Sequence, residues 1–310
     1  MWAQSKRSVA TGKPQHLGDL KELDDLKAVD DSKKSPPPGL YVIATPIGNA
    51  GDITLRALDM LRHVDGIAAE DTRVTSKLLA IHGISKPLMA YNDHNAARER
   101  PRLLAQIRNG ARIALVSDAG TPLVSDPGFK LVRAAIEEGV RVEALPGASA
   151  ALTGLVLSGL PSDRFLFAGF LPPRSGERQG VLEELKSIRA TLIFFESGPR
   201  LCDCLKDMVT VLGPRSGAVA REMTKLHEEV RRGTLADLAA GYERDGAPKG
   251  EVTVLVSPPH AAEADFAAVD AALTAALEFM PLKPASEMIA DLTGVPRKAV
   301  YARGLEMKNG

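Results

Sequence analysis

A chain of 310 residues has room for two compact α/β domains and a small third unit. Its apolar content of 45% and charged content of 25% are those of an ordinary globular protein, and 39 basic residues against 39 acidic ones exclude a polycation that coats nucleic acid indiscriminately. Aromatic residues make up only 4%, which speaks against an extended base-stacking platform, so any contact with RNA must come from a local patch.

Residues 1–38 are polar, carry Lys21-Glu22 and Asp24-Asp25, and end in Ser35-Pro36-Pro37-Pro38. They read as a mostly disordered extension in which Leu17, Leu20, Leu23 and Leu26 hint at one short amphipathic helix. The acidic residues argue against an organelle transit peptide, and the first residues lack the apolar stretch of a secretory signal. No apolar run approaches the length of a membrane span, so the expected location is the cytoplasm.

From Gly39 the pattern changes. Tyr41-Val42-Ile43-Ala44 precedes a helical pattern over Leu55 to Leu61, and Gly66-Ile67-Ala68-Ala69 precedes one over Ser76 to Ile81. The run Pro87 to Tyr91 leads into a helix ending at Ile107, and Ile113 to Val116 into one over Lys130 to Glu138. Arg141 to Leu145 is followed by an apolar helix over Ala150 to Leu157. Strand-then-helix units repeated in this way predict a parallel sheet covered on both faces, spanning residues 39–160. Leu160-Pro161 reads as a hinge. Beyond it, apolar runs at Phe165 to Phe170, Leu192 to Phe195, Ala218 to Ala220 and Val252 to Val256 predict a second α/β domain, residues 161–259, with a mixed sheet.

Ser257-Pro258-Pro259 closes that domain, and residues 260–310 are helical in pattern. The end of this tail has a helix, a turn at Gly294 and a second helix opened by Val295-Pro296-Arg297-Lys298, the outline of a helix-turn-helix. The two cysteines, Cys202 and Cys204, stand two apart on a helical stretch and point to different faces. That spacing suits neither a mutual disulfide nor a metal clip, and they read as core thiols; no metal is expected.

The residues that carry chemistry crowd the loops leaving the carboxyl ends of the first five strands. These are Thr45-Pro46-Ile47-Gly48-Asn49, Glu70-Asp71-Thr72-Arg73, Tyr91-Asn92-Asp93-His94-Asn95, Ser117-Asp118-Ala119-Gly120-Thr121-Pro122 and Pro146-Gly147-Ala148-Ser149-Ala150. In an open parallel sheet that edge is where ligands bind. There is no G-x-G-x-x-G turn after the first strand and no G-x-x-x-x-G-K-[ST] loop. The prolines between Asp118 and Gly128 remove amide donors that a phosphate cradle needs. A cofactor without phosphate, held by backbone carbonyls and amides, fits better, and S-adenosylmethionine is such a molecule.

These segments resemble the tetrapyrrole-methylase superfamily, and within it the branch that methylates ribose 2'-hydroxyls of 16S ribosomal RNA. The resemblance spans about Gly39 to Ser257 and continues into the tail. It rests on Ala44-Thr45-Pro46-Ile47-Gly48-Asn49 with Asp52-Ile53-Thr54, on Ala69-Glu70-Asp71-Thr72-Arg73, and on Ser117-Asp118-Ala119-Gly120-Thr121-Pro122 through Ser125-Asp126-Pro127-Gly128. It includes Pro146-Gly147-Ala148-Ser149-Ala150, Phe195-Glu196-Ser197, Arg221-Glu222-Met223-Thr224-Lys225 and Lys249-Gly250-Glu251. The chain departs from the pattern at Gly198, which stands between Ser197 and Pro199.

The resemblance implies a methyltransferase of two α/β domains with S-adenosylmethionine in the cleft between them. Carried over by position, Ile47, Asp118, Gly120, Thr121, Val124, Ser149, Ala150, Phe195 and Met223 contact the cofactor. For Ile47, Val124 and Phe195 the competing assignment is plain core packing. The resemblance also implies a homodimer and, as substrate, a cytidine in the decoding centre of 16S rRNA.

A ribose hydroxyl is a poor nucleophile, so a base or hydrogen-bond acceptor is expected beside it. The candidates are His94, Asp71 and Glu222, with Arg73 and Lys225 gripping a neighbouring phosphate. His94 could instead cap the helix starting near Asn95, and Glu70, Asp71 and Arg73 could form a salt bridge at a helix start. In the tail, Lys283, Arg297, Lys298 and Arg303 are candidates for docking RNA, Arg297 and Lys298 foremost. The recognition is expected to require the assembled 30S subunit. Two rival readings are a tetrapyrrole-, corrin-precursor- or diphthine-type methyltransferase of the same superfamily and a helix-turn-helix regulator that binds nucleic acid without chemistry.

Overall fold

Strands β1 (Gly39–Ile43), β2 (Gly66–Ala69), β3 (Leu88–Ala90), β4 (Arg112–Val116) and β5 (Val142–Leu145) form a wholly parallel sheet in the order β3-β2-β4-β1-β5. The computed structural model describes residues 35–125, 127–259, 266–293 and 295–309. The expected N-terminal extension therefore lies outside the described residues except for 35–38, and so does Gly294.

A strand such as Leu40-Tyr41-Val42-Ile43 is apolar at every position because both faces of the sheet are covered. Tyr41 and Ile43 pack with residues of α1 (Leu55–His63) and α2 (Thr72–Ile81), while Leu40 and Val42 pack with α3 (Ala96–Arg108) and α4 (Phe129–Glu137). The distribution follows from topology. The chain moves toward one edge through β1, β2 and β3, then jumps back to β4 and on to β5. Because such crossovers are right-handed, the reversal puts the first two helices on one face and the next two on the other. Neighbouring strands β4 and β1 then send their loops to opposite faces, which opens a crevice at their carboxyl ends. The two loops touch there: the Thr45 amide donates to the Gly120 carbonyl (2.8 Å) and the Gly120 amide to that of Thr45 (3.0 Å).

Helix α5 (Ala150–Ser158) leaves the first sheet altogether. Its Ala151 and Leu155 pack on Ile193, Ala218 and Leu255, so the passage to the second sheet begins at Ser149, ahead of the turn at Leu160-Pro161. The second sheet consists of β6 (Phe165–Phe170), β7 (Thr191–Ser197), β8 (Ser216–Arg221), β9 (Glu229–Thr234) and β10 (Glu251–Val256), in the order β6-β7-β10-β8-β9. It is mixed, as expected: β6 and β7 run parallel and the other pairs antiparallel. Strand β9 was not legible as an apolar run. Its sequence, Glu-Val-Arg-Arg-Gly-Thr, is that of an exposed edge, where charge discourages pairing with another chain.

On the far face of this sheet Leu192, Phe194, Val219 and Val254 pack under α6 (Ser175–Leu185), α7 (Leu201–Leu212) and α8 (Leu235–Asp245). Arg178 and Asp207, both buried, join α6 to α7 at 2.6 Å, and Ser175 and Gln179 saturate the carboxylate. Cys204 is enclosed in the same core, where burial pushes its thiol up to about 12. Cys202 is half-buried and its Sγ donates to the Tyr242 carbonyl, so both cysteines are structural thiols.

The tail folds as three helices, α9 (Phe266–Leu277), α10 (Leu282–Thr293) and α11 (Arg297–Asn309), around Leu273, Leu282, Ile289 and Val300. Arg303 on α11 holds Asp270 on α9 with both of its forks, at 2.8 and 2.7 Å. Among the described residues no helix is long and apolar enough to cross a membrane.

Candidate active site

A cavity of about 430 Å³ lies between the two sheets, and both contribute to its wall. From the first sheet come Ile47 after β1, Glu70 after β2, Asp118 to Val124 after β4, and Ser149 and Ala150 after β5. From the second come Phe170 and Phe195 at the ends of β6 and β7, Glu222, Met223 and Lys225 after β8, and Val252 and Thr253 of β10. Every residue expected to hold the cofactor is in this wall: Ile47, Asp118, Gly120, Thr121, Val124, Ser149, Ala150, Phe195 and Met223.

Local chemistry sets each position. Strand alternation explains Phe195: Leu192 and Phe194 face the helical layer, leaving Ile193 and Phe195 for α5 and the cavity. Phe195 meets Phe170 edge-on, ring centres 5.7 Å apart. Ser149 is the N-cap of α5, its hydroxyl accepting from the Leu152 amide at 3.5 Å. The Thr121 hydroxyl donates to the Ala148 carbonyl (3.2 Å), binding the β4 loop to the β5 loop.

Gly120 has φ +79°, and a side chain there would stand 3.3 Å from Ile47 Cγ2 and 3.6 Å from the Ala148 carbonyl. The loop continues with Leu123 at φ +74° and Ser125 at φ +69°. Left-handed backbone at non-glycine residues costs about 1–3 kcal/mol each and concentrates at functional sites.

The carboxylates of the site fall into two groups. Burial raises Glu70 above the ordinary carboxylate range, helped by the negative charges of Asp118, Asp93 and Asp71 and opposed by a hydrogen bond from the Asp118 amide. Asp118 is raised for the same first reason, burial, although its Oδ1 accepts from the Asp71 amide at 2.9 Å. Glu222 is different. Burial pushes its carboxyl up, but Lys225 Nζ at 3.0 Å and the Glu251 amide at 3.1 Å outweigh it and hold the group below its ordinary value.

Several expected site residues are not brought to this wall. Asp71 is the N-cap of α2, accepting from the Arg73 amide, and its carboxylate is gripped by the Arg73 guanidinium, which holds it down to about 2. The salt bridge at a helix start is thus what Asp71 and Arg73 form, and a carboxyl so stabilised is a weak base. His94 is exposed and outside the cavity, and it does not cap α3 either, because Asn95 is the N-cap residue. Lys225 lines the wall, yet it is shared between Glu222 and Glu251. In the tail Arg297 pairs with Glu287, while Lys298 is exposed with no ion pair among the described residues.

Glu70, Ser125 and Phe170 belong to the wall without having been assigned a role in it from sequence, where Glu70 was expected at most in a helix-start salt bridge. Glu70 had a signal, its place directly after a strand; Phe170 had none, since only the fold brings the end of β6 to this cleft. Gly198, the departure from the family pattern, is explained by contact: a side chain there would overlap the backbone carbonyl of Pro248, where the amide of Gly198 donates to Gly250 (3.2 Å). Among the described residues no cluster of His, Cys, Asp and Glu could hold a metal ion.

The family model described as tetrapyrrole (corrin/porphyrin) methylases matches residues 39–239, and a second, described as the RsmI C-terminal HTH domain, matches residues 263–308. A protein of Mesorhizobium japonicum named "Ribosomal RNA small subunit methyltransferase I" is 50% identical over 273 residues, 88% of this chain and 93% of its own. One of the same name from Escherichia coli O157:H7 is 47% identical over 273 residues, 87% of this chain and 95% of its own. Among solved structures, a diphthine synthase superposes with a TM-score of 0.56 at 18% identity, covering 70% of this chain and 89% of that one. A Thermus thermophilus uroporphyrin-III-C-methyltransferase does so with a TM-score of 0.52 at 23% identity, covering 71% and 94%. At these identities the solved structures establish the fold alone. With a methylase model over more than half its length and near-complete relatives at about half identity, the chain belongs to the tetrapyrrole methylase family, in its ribosomal RNA small subunit methyltransferase I branch.

Proposed function

We propose that this protein transfers the methyl group of S-adenosylmethionine to the 2'-hydroxyl of a cytidine in the decoding region of 16S rRNA, acting as a cytoplasmic homodimer on the assembled 30S subunit. The observation that carries the reading is the cleft, where loops from two sheets converge on one cavity in a chain whose near-complete relatives bear a ribosomal RNA methyltransferase name. The homodimer is supported by α5, whose Leu152 and Val156 lie one turn apart and exposed.

The wall suits this cofactor. Its cation is compatible with the carboxylates of Glu70 and Asp118, and Ile47, Val124, Phe195 and Met223 supply apolar faces for its uncharged parts. At Gly120 the absence of a side chain lets the main chain form the wall. Bound there, the cofactor supplies an already activated methyl group, so the protein's task is chiefly alignment. Glu70 is a carboxylate of the wall able to accept the proton that the ribose hydroxyl loses on methylation, because burial raises its affinity for a proton, as it does that of Asp118. Glu222, neutralised by Lys225, positions the loop after β8.

The two cations expected to grip a phosphate beside the reacting ribose are not free to do so. Arg73 and Lys225 are both engaged by carboxylates, which leaves the shape of a folded target to supply recognition. Methyl transfer measured side by side should therefore be efficient on small subunits, poor on naked 16S rRNA and nil on a tetrapyrrole precursor. Transfer to the tetrapyrrole with silent subunits would overturn the substrate. A regulator that only bound nucleic acid leaves the cavity without a role, and no observation favours it.

A further inference from the structure

A second, smaller cavity of about 260 Å³ lies at the carboxyl edge of the parallel sheet. Its wall includes Tyr91 and Asp93 after β3, Arg100 on α3, and Gly128, Phe129 and Lys130 where α4 begins. We propose that it is the subsite for a nucleotide of the RNA substrate flanking the methylated one, with its phosphate on Arg100 and Lys130 and its base against Phe129. The inference rests on the ribosomal RNA reading above and adds the residues that hold the strand beside the reacting ribose.

Independent observations converge on a ligand here. The Tyr91 side chain is only 1% exposed, and its buried hydroxyl has no hydrogen-bond partner among the described residues. A buried hydroxyl without a partner is unfavourable, and Tyr91 is one of the residues that line this cavity. Burial keeps this phenol protonated, so it can donate. Arg100 and Lys130 form no ion pair among the described residues, in contrast to Arg73 and Lys225. Asp93 is the opposing charge, which leaves the lining, among the described residues, with a net single positive charge, that of a site for one phosphodiester. Phe129 is 63% exposed, an aromatic face at the mouth of a cavity in a chain poor in aromatics. Base stacking on such a face is independent of sequence.

The two cavities take residues from loops that follow adjacent strands of the parallel sheet. Glu70 follows β2, and Tyr91 follows the adjacent β3, about 4.8 Å away in the sheet. The same strained loop separates the two cavities: Val124 and Ser125 line the first, Pro127 and Gly128 the second. A ligand spanning both would rest on both sides of that loop.

The test is steady-state methylation of small subunits by Tyr91→Phe, by Phe129→Leu and by the double variant Arg100→Gln/Lys130→Gln, with S-adenosylmethionine binding followed by calorimetry. Each is expected to raise KM for subunits about fivefold with kcat and cofactor affinity unchanged, and the double variant should flatten the salt dependence of log affinity by about 0.7, the value for one single-stranded phosphate. Lys130→Gln alone, at an exposed position, guards against a folding defect. Wild-type methylation of subunits with no change of KM or salt slope in any variant would overturn the subsite while leaving the enzyme's function intact. No methylation by the wild type would instead overturn the function. Inhibition by a millimolar nucleoside monophosphate, relieved in the variants without a change in KM, would assign the cavity to a free nucleotide and also overturn the proposal.

Discussion

Replacing Glu70 by glutamine should lower kcat for methylation of small subunits roughly 100-fold, the usual contribution of a general base, with cofactor affinity changed by less than about twofold. Glutamine keeps the size and the acceptor oxygen of the side chain, so the cavity wall and its contact with the Asp118 amide are preserved. What it removes is the capacity to take a proton. The sign of the pH dependence follows. Glu70 must be ionised to act, and burial, followed by the charges of Asp118, Asp93 and Asp71, raises its proton affinity. The wild-type kcat should therefore fall on acidification, with the limb displaced above the ordinary carboxylate range. The variant should lack that limb. An unaltered rate and pH profile in Glu70→Gln would remove Glu70 as the base, and Asp118→Asn would then decide between Asp118 and alignment alone.

Gly120→Val should weaken S-adenosylmethionine binding at least tenfold, or about 1.4 kcal/mol. Two effects add. The residue sits at φ +79°, a conformation that a β-branched side chain strongly disfavours, and its amide and carbonyl both bond to Thr45 across the crevice between β4 and β1. A valine would strain that bridge and also press on Ile47, whose methyl is 3.3 Å from the new Cβ. Calorimetric titration measures the effect, with thermal unfolding as the control for stability and Gly120→Ala as the milder partner. Undiminished affinity in a folded Gly120→Val protein would place the cofactor elsewhere.

Much of this site was legible in the sequence because the sheet edge is encoded locally. Each short apolar run is followed by a loop of small and polar residues, and parallel strands put all those loops at one edge. The loops that carry Ile47, Gly120 and Ser149 could thus be grouped from the pattern, while the individual residues followed from the family resemblance. The second sheet was less legible: β9 carries charges at an exposed edge and has no apolar signature. Side-chain pairing was the least legible. Asp71 and Arg73 look like a proton acceptor and a phosphate clamp when written in a row, yet the turn that starts α2 brings them against each other. His94 is near the site in sequence and outside it in space, because the loop after β3 turns it to solvent. Glu70, its side chain partly withdrawn from water, has its proton affinity raised by burial, as Asp118 does.

The most direct test of the central claim is a mass-spectrometric map of ribose methylation in 16S rRNA from cells with and without this protein. The account predicts that a single 2'-O-methyl group, on a cytidine of the decoding region, disappears with the protein and returns with the wild-type chain but not with Glu70→Gln. Identical ribose-methylation maps from the two kinds of cell would contradict it.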